Sequence, residues 1–160
     1  MNKKFDYDWI NNNTSHHNYL IKSVENILQN IHTSDCDLLD VGCGNGVLTN
    51  QISKFFKNTT GIDLSGTGIE LAKEKGGEKI TFENISIEEM IAKNKKFKFI
   101  TSFEVIEHQY LPDDFLKKIN QLLDDDGIFL LSTPYNGYIK NLIISILGKN
   151  DWHYNPLWRH

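Results

Sequence analysis

Hydrophobic positions along this chain switch repeatedly between two spacings. From Ser15 they follow a helical period, with Leu20, Val24, Ile27, Leu28 and Ile31 on one face. A short apolar run over residues 38–41 predicts a first strand, which stops at Gly42-Cys43-Gly44-Asn45-Gly46. Val47, Leu48, Ile52, Phe55 and Phe56 restore helical spacing. Residues 59–63 then read as a second strand, 68–75 as a helix, 79–83 as a third strand and 86–92 as another helix. A fourth strand is expected over 97–103. Pro112 suits the first turn of a helix reaching about Leu123. Asp126-Gly127 signals a turn, and 128–131 is the fifth strand.

Strands that alternate with helices imply βαβ units, and hence an α/β, Rossmann-like, doubly wound and mostly parallel sheet with helices on both faces. In such a sheet ligands bind beyond the carboxyl ends of the strands, near the point where strand order reverses. Chemistry is therefore sought in the residues that follow each strand. The length of 160 residues suits one domain. A formal charge of −4 argues against a partner such as nucleic acid or an anionic membrane. Cys36 and Cys43 are too few for a disulfide framework. The Met-Asn-Lys-Lys start is followed by no signal-like apolar run, and no stretch reaches the roughly 20 apolar residues of a membrane span. The expectation is a cytoplasmic, soluble domain.

The glycines after the first strand permit a tight turn and let a ligand approach bare backbone. Asp63, 21 residues past Gly42, ends the second strand, where a carboxylate can accept from both hydroxyls of a ribose. Loop and acid together read as a site for an adenosine cofactor. The dinucleotide fingerprint needs glycine at position 47, where Val47 stands, and no Gly-Lys-Ser/Thr follows for a phosphate loop. Asp40 would repel a pyrophosphate, whereas the sulfonium and ammonium of S-adenosylmethionine suit an acidic loop. A plain strand-to-helix turn and an N-cap role for Asp63, in competition with Ser65, are the bland alternatives.

The run Leu-Leu-Asp-Val-Gly-Cys-Gly-Asn-Gly at 38–46 resembles the first motif of class I S-adenosylmethionine-dependent methyltransferases. The likeness continues through Gly61-Ile62-Asp63-Leu64, Ser102-Phe103-Glu104-Val105-Ile106-Glu107-His108 and Asp126-Gly127-Ile128-Phe129, and spans about residues 17–135. It is most similar to the branch that contains the ubiquinone-biosynthesis O-methyltransferases. The resemblance implies Asp40 and Gly42 beside the methionine portion, Cys43 and Gly44 as further cofactor-binding residues, Asp63 and Leu64 at the adenosine, and Ser86 and Ile87 at the adenine. It also implies Phe103 as a cofactor contact. Ile85 stands where relatives often carry a polar group, which leaves backbone donors for the adenine. For Phe103, Ile85 and Ile87, core packing is the alternative.

Glu104, Glu107 and His108 would share one face if their stretch is helical. His108 could then take a proton from an acceptor hydroxyl, with Glu104 beside it. The resemblance associates this pattern with Mg2+, held by Glu104, Glu107 and His108. Otherwise Glu104 orders the cofactor loop while the other two bond backbone. The implied reaction is methyl transfer to an oxygen of a small-molecule acceptor. The rivals are a non-catalytic cofactor-binding or scaffold module and an NAD-type oxidoreductase.

The expected layout is a single domain over 1–160. It comprises an N-terminal lid or helix (1–32), the cofactor-binding core (36–133) and a substrate-side helix with an aromatic tail (134–160). Pro134 and Tyr135 would line the substrate entrance. Residues 138–147 form an apolar stretch that could rest on a membrane surface or a partner subunit. Relatives continue with an antiparallel hairpin beside strand five, so that hairpin is expected to be missing and 128–131 to be an open edge.

Overall fold

The computed structural model of the chain describes residues 18–134. Helix α1 (Asn18–Leu28) leads into β1 (Asp37–Val41), α2 (Val47–Ile52), β2 (Asn58–Ile62) and α3 (Gly66–Lys75). Then come β3 (Ile80–Glu83), α4 (Ile87–Ala92), β4 (Phe97–Phe103), α5 (Pro112–Leu122) and β5 (Leu123–Ser132). The strands lie in the order β3-β2-β1-β4-β5, and every pairing is parallel.

Alternation along β1 divides the core. Leu38 packs with Val24 and Leu28 of α1 and with Leu48 and Ile52 of α2 on one side of the sheet. Leu39 and Val41 pack with Met90 of α4 and with Phe115, Ile119 and Leu122 of α5 on the other. The expected two-faced architecture is present. Strand order reverses between β1 and β4, so the loop after β1 and the end of β4 flank the switch point.

Two elements differ from the sequence expectation. The helix after the glycine loop gives way at Ser53–Phe55 to a 3-10 turn. Strand β5 starts at Leu123 rather than 128, with a register shift opposite Phe97 and Phe99. The Asp126-Gly127 turn signal is absorbed as this irregularity within β5, where Lys98 bonds Asp126 at 2.7 Å. Among the described residues, no helix is long and apolar enough to cross a membrane. The expectations for 138–147, for Tyr135 and for the aromatic tail lie outside the described residues.

Candidate functional site

The loop from Gly42 to Gly46 carries three left-handed glycines, at φ +79° (Gly42), +53° (Gly44) and +72° (Gly46). At Gly42 the side-chain space is also closed, because an added Cβ would lie 2.4 Å from Cγ2 of Val105. Almost every loop donor is already used within the protein. The amides of Gly42 and Cys43 donate to the Ile62 carbonyl at 2.8 and 3.1 Å. Gly44 donates to Asp63 Oδ2 at 2.8 Å, and Gly46 to the Cys43 carbonyl at 3.0 Å. Val47 donates to Oδ1 of the buried Asn45 at 3.4 Å. A phosphate cradle works by offering free amides at a helix start, and here those amides are turned inward.

Two carboxylates flank the loop. Asp40, 3% exposed, sits in β1 opposite Gly61 of β2 and Thr101 of β4. Its oxygens accept from Thr49 Oγ1 at 2.6 Å and Thr101 Oγ1 at 2.8 Å. Burial raises its pKa to about 6; the two hydroxyls act the other way and the nearby Asp63 adds to the rise. Asp63 is half-buried at the end of β2 and accepts from the amides of Gly44 and, at 2.7 Å, Ser65. The N-cap of α3 is Ser65, whose hydroxyl accepts from Gly68 at 3.1 Å, so Asp63 is left to face the loop. Burial, with Asp40 and Asp63 close by, pushes the Cys43 thiol far up and keeps it protonated, which excludes it as a nucleophile.

The residue after Asp63 is Leu64, which is 60% exposed at the same strand end. Ser86 is the N-cap of α4: its hydroxyl accepts from the Glu89 amide at 3.1 Å, and its own amide donates to Glu89 Oε2 at 2.7 Å. Its hydroxyl and amide are thus engaged in a capping box. Ile85 and Ile87 pack on the α4–α5 side of the core, and Phe103 packs on the α1–α2 side.

Beyond β4 the expected helical face does not form. Glu104 is left-handed at φ +56°, and only Ile106–His108 make a 3-10 turn. The Glu104 amide donates to the Ser132 carbonyl at 3.1 Å, and the Ser132 hydroxyl donates to Glu104 Oε1 at 2.6 Å. His108 projects to solvent, its side chain 70% exposed and its Nε2 4.0 Å from Glu107 Oε1. Glu107 Oε2 is buried with no hydrogen-bond partner, and burial first, then the Glu104 charge, raises the Glu107 pKa. Glu104, Glu107 and His108 are not gathered into one ligand set. Among the described residues, no group of three or more His, Cys, Asp or Glu could hold a metal ion. The left-handed turn at Glu104 directs its carboxylate to Ser132 of β5, and the stretch does not present the three side chains on one helical face.

The fold and the loop define a Rossmann-like doubly wound domain with its candidate site at the switch point. Comparison with known proteins gives the family. A family model for the methyltransferase domain matches residues 14–159, and the chain belongs to that family. It is 34% identical over 133 residues to a ubiquinone biosynthesis O-methyltransferase of Pelagibacter ubique, covering 81% of this chain and 52% of the relative. The chain thus spans about half the length of the curated relatives it matches. The YcgJ protein of Bacillus subtilis superposes with a TM-score of 0.64 at 21% identity, over 80% of this chain and 58% of that one. A coclaurine N-methyltransferase bound to N-methylheliamine and SAH gives a TM-score of 0.59 at 20% identity, over 71% of this chain and 34% of that one. These two likenesses show the fold.

The structure brings Asp40, Gly42, Cys43, Gly44, Asp63 and Leu64 to one end of the sheet. Sequence reasoning missed Thr49, Thr101, Val105 and Ser132. No local signal marked the two threonines, because α2 and β4 carry other polar residues beside them. Nothing local pointed to Val105 or Ser132.

Proposed function

We propose that the chain is the cofactor-binding part of an S-adenosylmethionine-dependent methyltransferase that methylates a hydroxyl of a small molecule. The observation that carries this reading is that the amides of Gly42, Cys43, Gly44 and Gly46 are paired within the protein, in a loop flanked by two carboxylates. Such a loop disfavours a pyrophosphate and favours a ligand with positive charge and no phosphate. The relative named as a ubiquinone biosynthesis O-methyltransferase supports hydroxyl transfer, and SAH bound to the coclaurine enzyme supports the cofactor.

In this reading Asp63 uses its remaining lone pairs for the ribose hydroxyls. Leu64 and Ile87 cover the adenosine, with Ser86 at the start of α4 bounding the adenine. The Gly42–Gly44 backbone approaches the methionine portion, and Asp40 acts on its ammonium through charge across the loop. Phe103 closes the floor at the end of β4. Glu104 and His108 face the acceptor. S-adenosylmethionine supplies a methyl group already activated by the sulfonium. When bound, it would pass that methyl to the acceptor oxygen and leave as the neutral thioether. The hydroxyl proton leaves to His108 or solvent. The protein's part is alignment at about 3 Å and exclusion of water. This reading places the chain in a cytoplasmic setting, where two unpaired cysteines are compatible with reducing conditions.

The test is incubation with methyl-labelled S-adenosylmethionine and a panel of phenols, catechols, sugars and amines. The reading expects label on hydroxyl acceptors and a loss of at least a hundredfold in Asp63→Ala. Label on amines alone would overturn the oxygen assignment. Cofactor binding with no turnover of any acceptor would favour a binding module.

A further inference from the structure

Asp63 makes four hydrogen bonds within the protein. Its carboxylate accepts from the Gly44 amide at 2.8 Å and from the Ser65 amide at 2.7 Å. Its main chain is fixed to the β3 side, with its amide donating to the Glu83 carbonyl at 3.3 Å and its carbonyl accepting from Asn84 Nδ2 at 2.8 Å. One side chain therefore joins the loop after β1, the end of β2 and the start of α3. Gly44 is buried and left-handed, and its amide has this carboxylate as its acceptor. We propose that Asp63 is a positioning residue that latches the glycine loop in its binding shape before any ligand arrives. This role stands beside the ribose contact of the functional reading, on which the second half of the test rests.

The physical case is the cost of the alternative. Without Asp63 the buried Gly44 amide loses its acceptor, and the loop escapes that desolvation penalty by turning toward water. An open loop lowers the fraction of molecules ready to bind, and apparent affinity falls by that fraction. The two roles are compatible, because each carboxylate oxygen has two lone pairs and the latch uses one on each. The latch also keeps the Gly44 amide from serving a phosphate.

Amide hydrogen exchange followed by NMR on the ligand-free full chain tests the latch directly. The Gly44 and Ser65 amides should exchange at least tenfold faster in Asp63→Ala, while β1 and β4 amides keep their protection. Asp63→Asn retains one acceptor oxygen, so at least one of the two amides should still be released. That variant decides the matter if the alanine protein does not fold. A thermodynamic cycle separates latch from contact. S-adenosylhomocysteine and its 2′,3′-dideoxy analogue are titrated into wild type and variant. A contact role alone predicts equal affinity of the two proteins for the dideoxy compound, whereas the latch predicts at least fivefold weaker binding by the variant. Unchanged exchange at Gly44, or equal analogue affinity, overturns the proposal. If the wild type binds neither compound, the cofactor reading fails and exchange at Gly44 still decides the latch.

Discussion

At the residue scale, Gly42 and Asp40 are held for opposite reasons. Gly42 satisfies the fold: φ +79° and the 2.4 Å approach to Val105 leave no place for a side chain. Gly42→Ala should cost about 2–4 kcal/mol through left-handed strain and overlap, read as a fall in Tm. Asp40 costs the fold stability. Its carboxyl passes from an ordinary 3.8 to about 6 on folding, so the native state holds the proton more tightly. Below pH 3.8 the group is protonated in both states and costs nothing. As pH rises through this window the unfolded state ionises first and stability falls, by about 3 kcal/mol at about 1.4 kcal/mol per pKa unit. Asp40→Asn should therefore match wild type near pH 4 and exceed its stability at pH 7 in denaturant melts, while binding S-adenosylhomocysteine at least tenfold more weakly. Equal stability of the two proteins at pH 7 would contradict the buried-charge account. Asp40, Gly42 and Asp63 were legible because glycine spacing and an acid after a strand are local signals. Thr49 and Thr101 were not, since the Thr101 hydroxyl reaches Asp40 across 61 residues and register alone brings them together.

At the element scale, α4 shows how a short helix depends on its start. It spans only Ile87–Ala92, too few residues to persist on propensity, and the Ser86–Glu89 box supplies its first turn. Ser86→Ala should cost about 1 kcal/mol in thermal unfolding. Its effect on S-adenosylhomocysteine affinity should stay within twofold, because the hydroxyl is already engaged with the Glu89 amide. A tenfold loss without a stability change would make Ser86 a direct contact. This helix and its cap were readable from Ser86 and the apolar spacing that follows. The turn after β4 was not. Glu104 carries no sequence sign of a left-handed backbone, and the cause lies on β5, where the Ser132 hydroxyl captures its carboxylate. For the same reason Glu104, Glu107 and His108 do not share a helical face. Likewise Asp126-Gly127 reads as a turn in isolation, but pairing of β5 with β4 on either side of it, from Leu123 and again from Ile128, takes it into the strand as an irregularity.

At the scale of the whole molecule, parallel pairing and the reversal of order between β1 and β4 place the glycine loop, Asp63 and the end of β4 at one rim. That arrangement followed from strand–helix alternation. What could not follow is the inward satisfaction of the loop amides, which depends on the Ile62 carbonyl and the Asp63 carboxylate arriving from β2. This feature carries the central claim, that the rim takes an adenosine cofactor without phosphate and refuses a phosphate-bearing one. The direct measurement is a calorimetric titration of the full chain with S-adenosylhomocysteine, repeated with NAD. The account predicts micromolar binding of the first, weakened at least a hundredfold in Asp63→Ala, and no heat from the second. Binding of NAD with equal or greater affinity, or folded protein that binds neither compound, would contradict it.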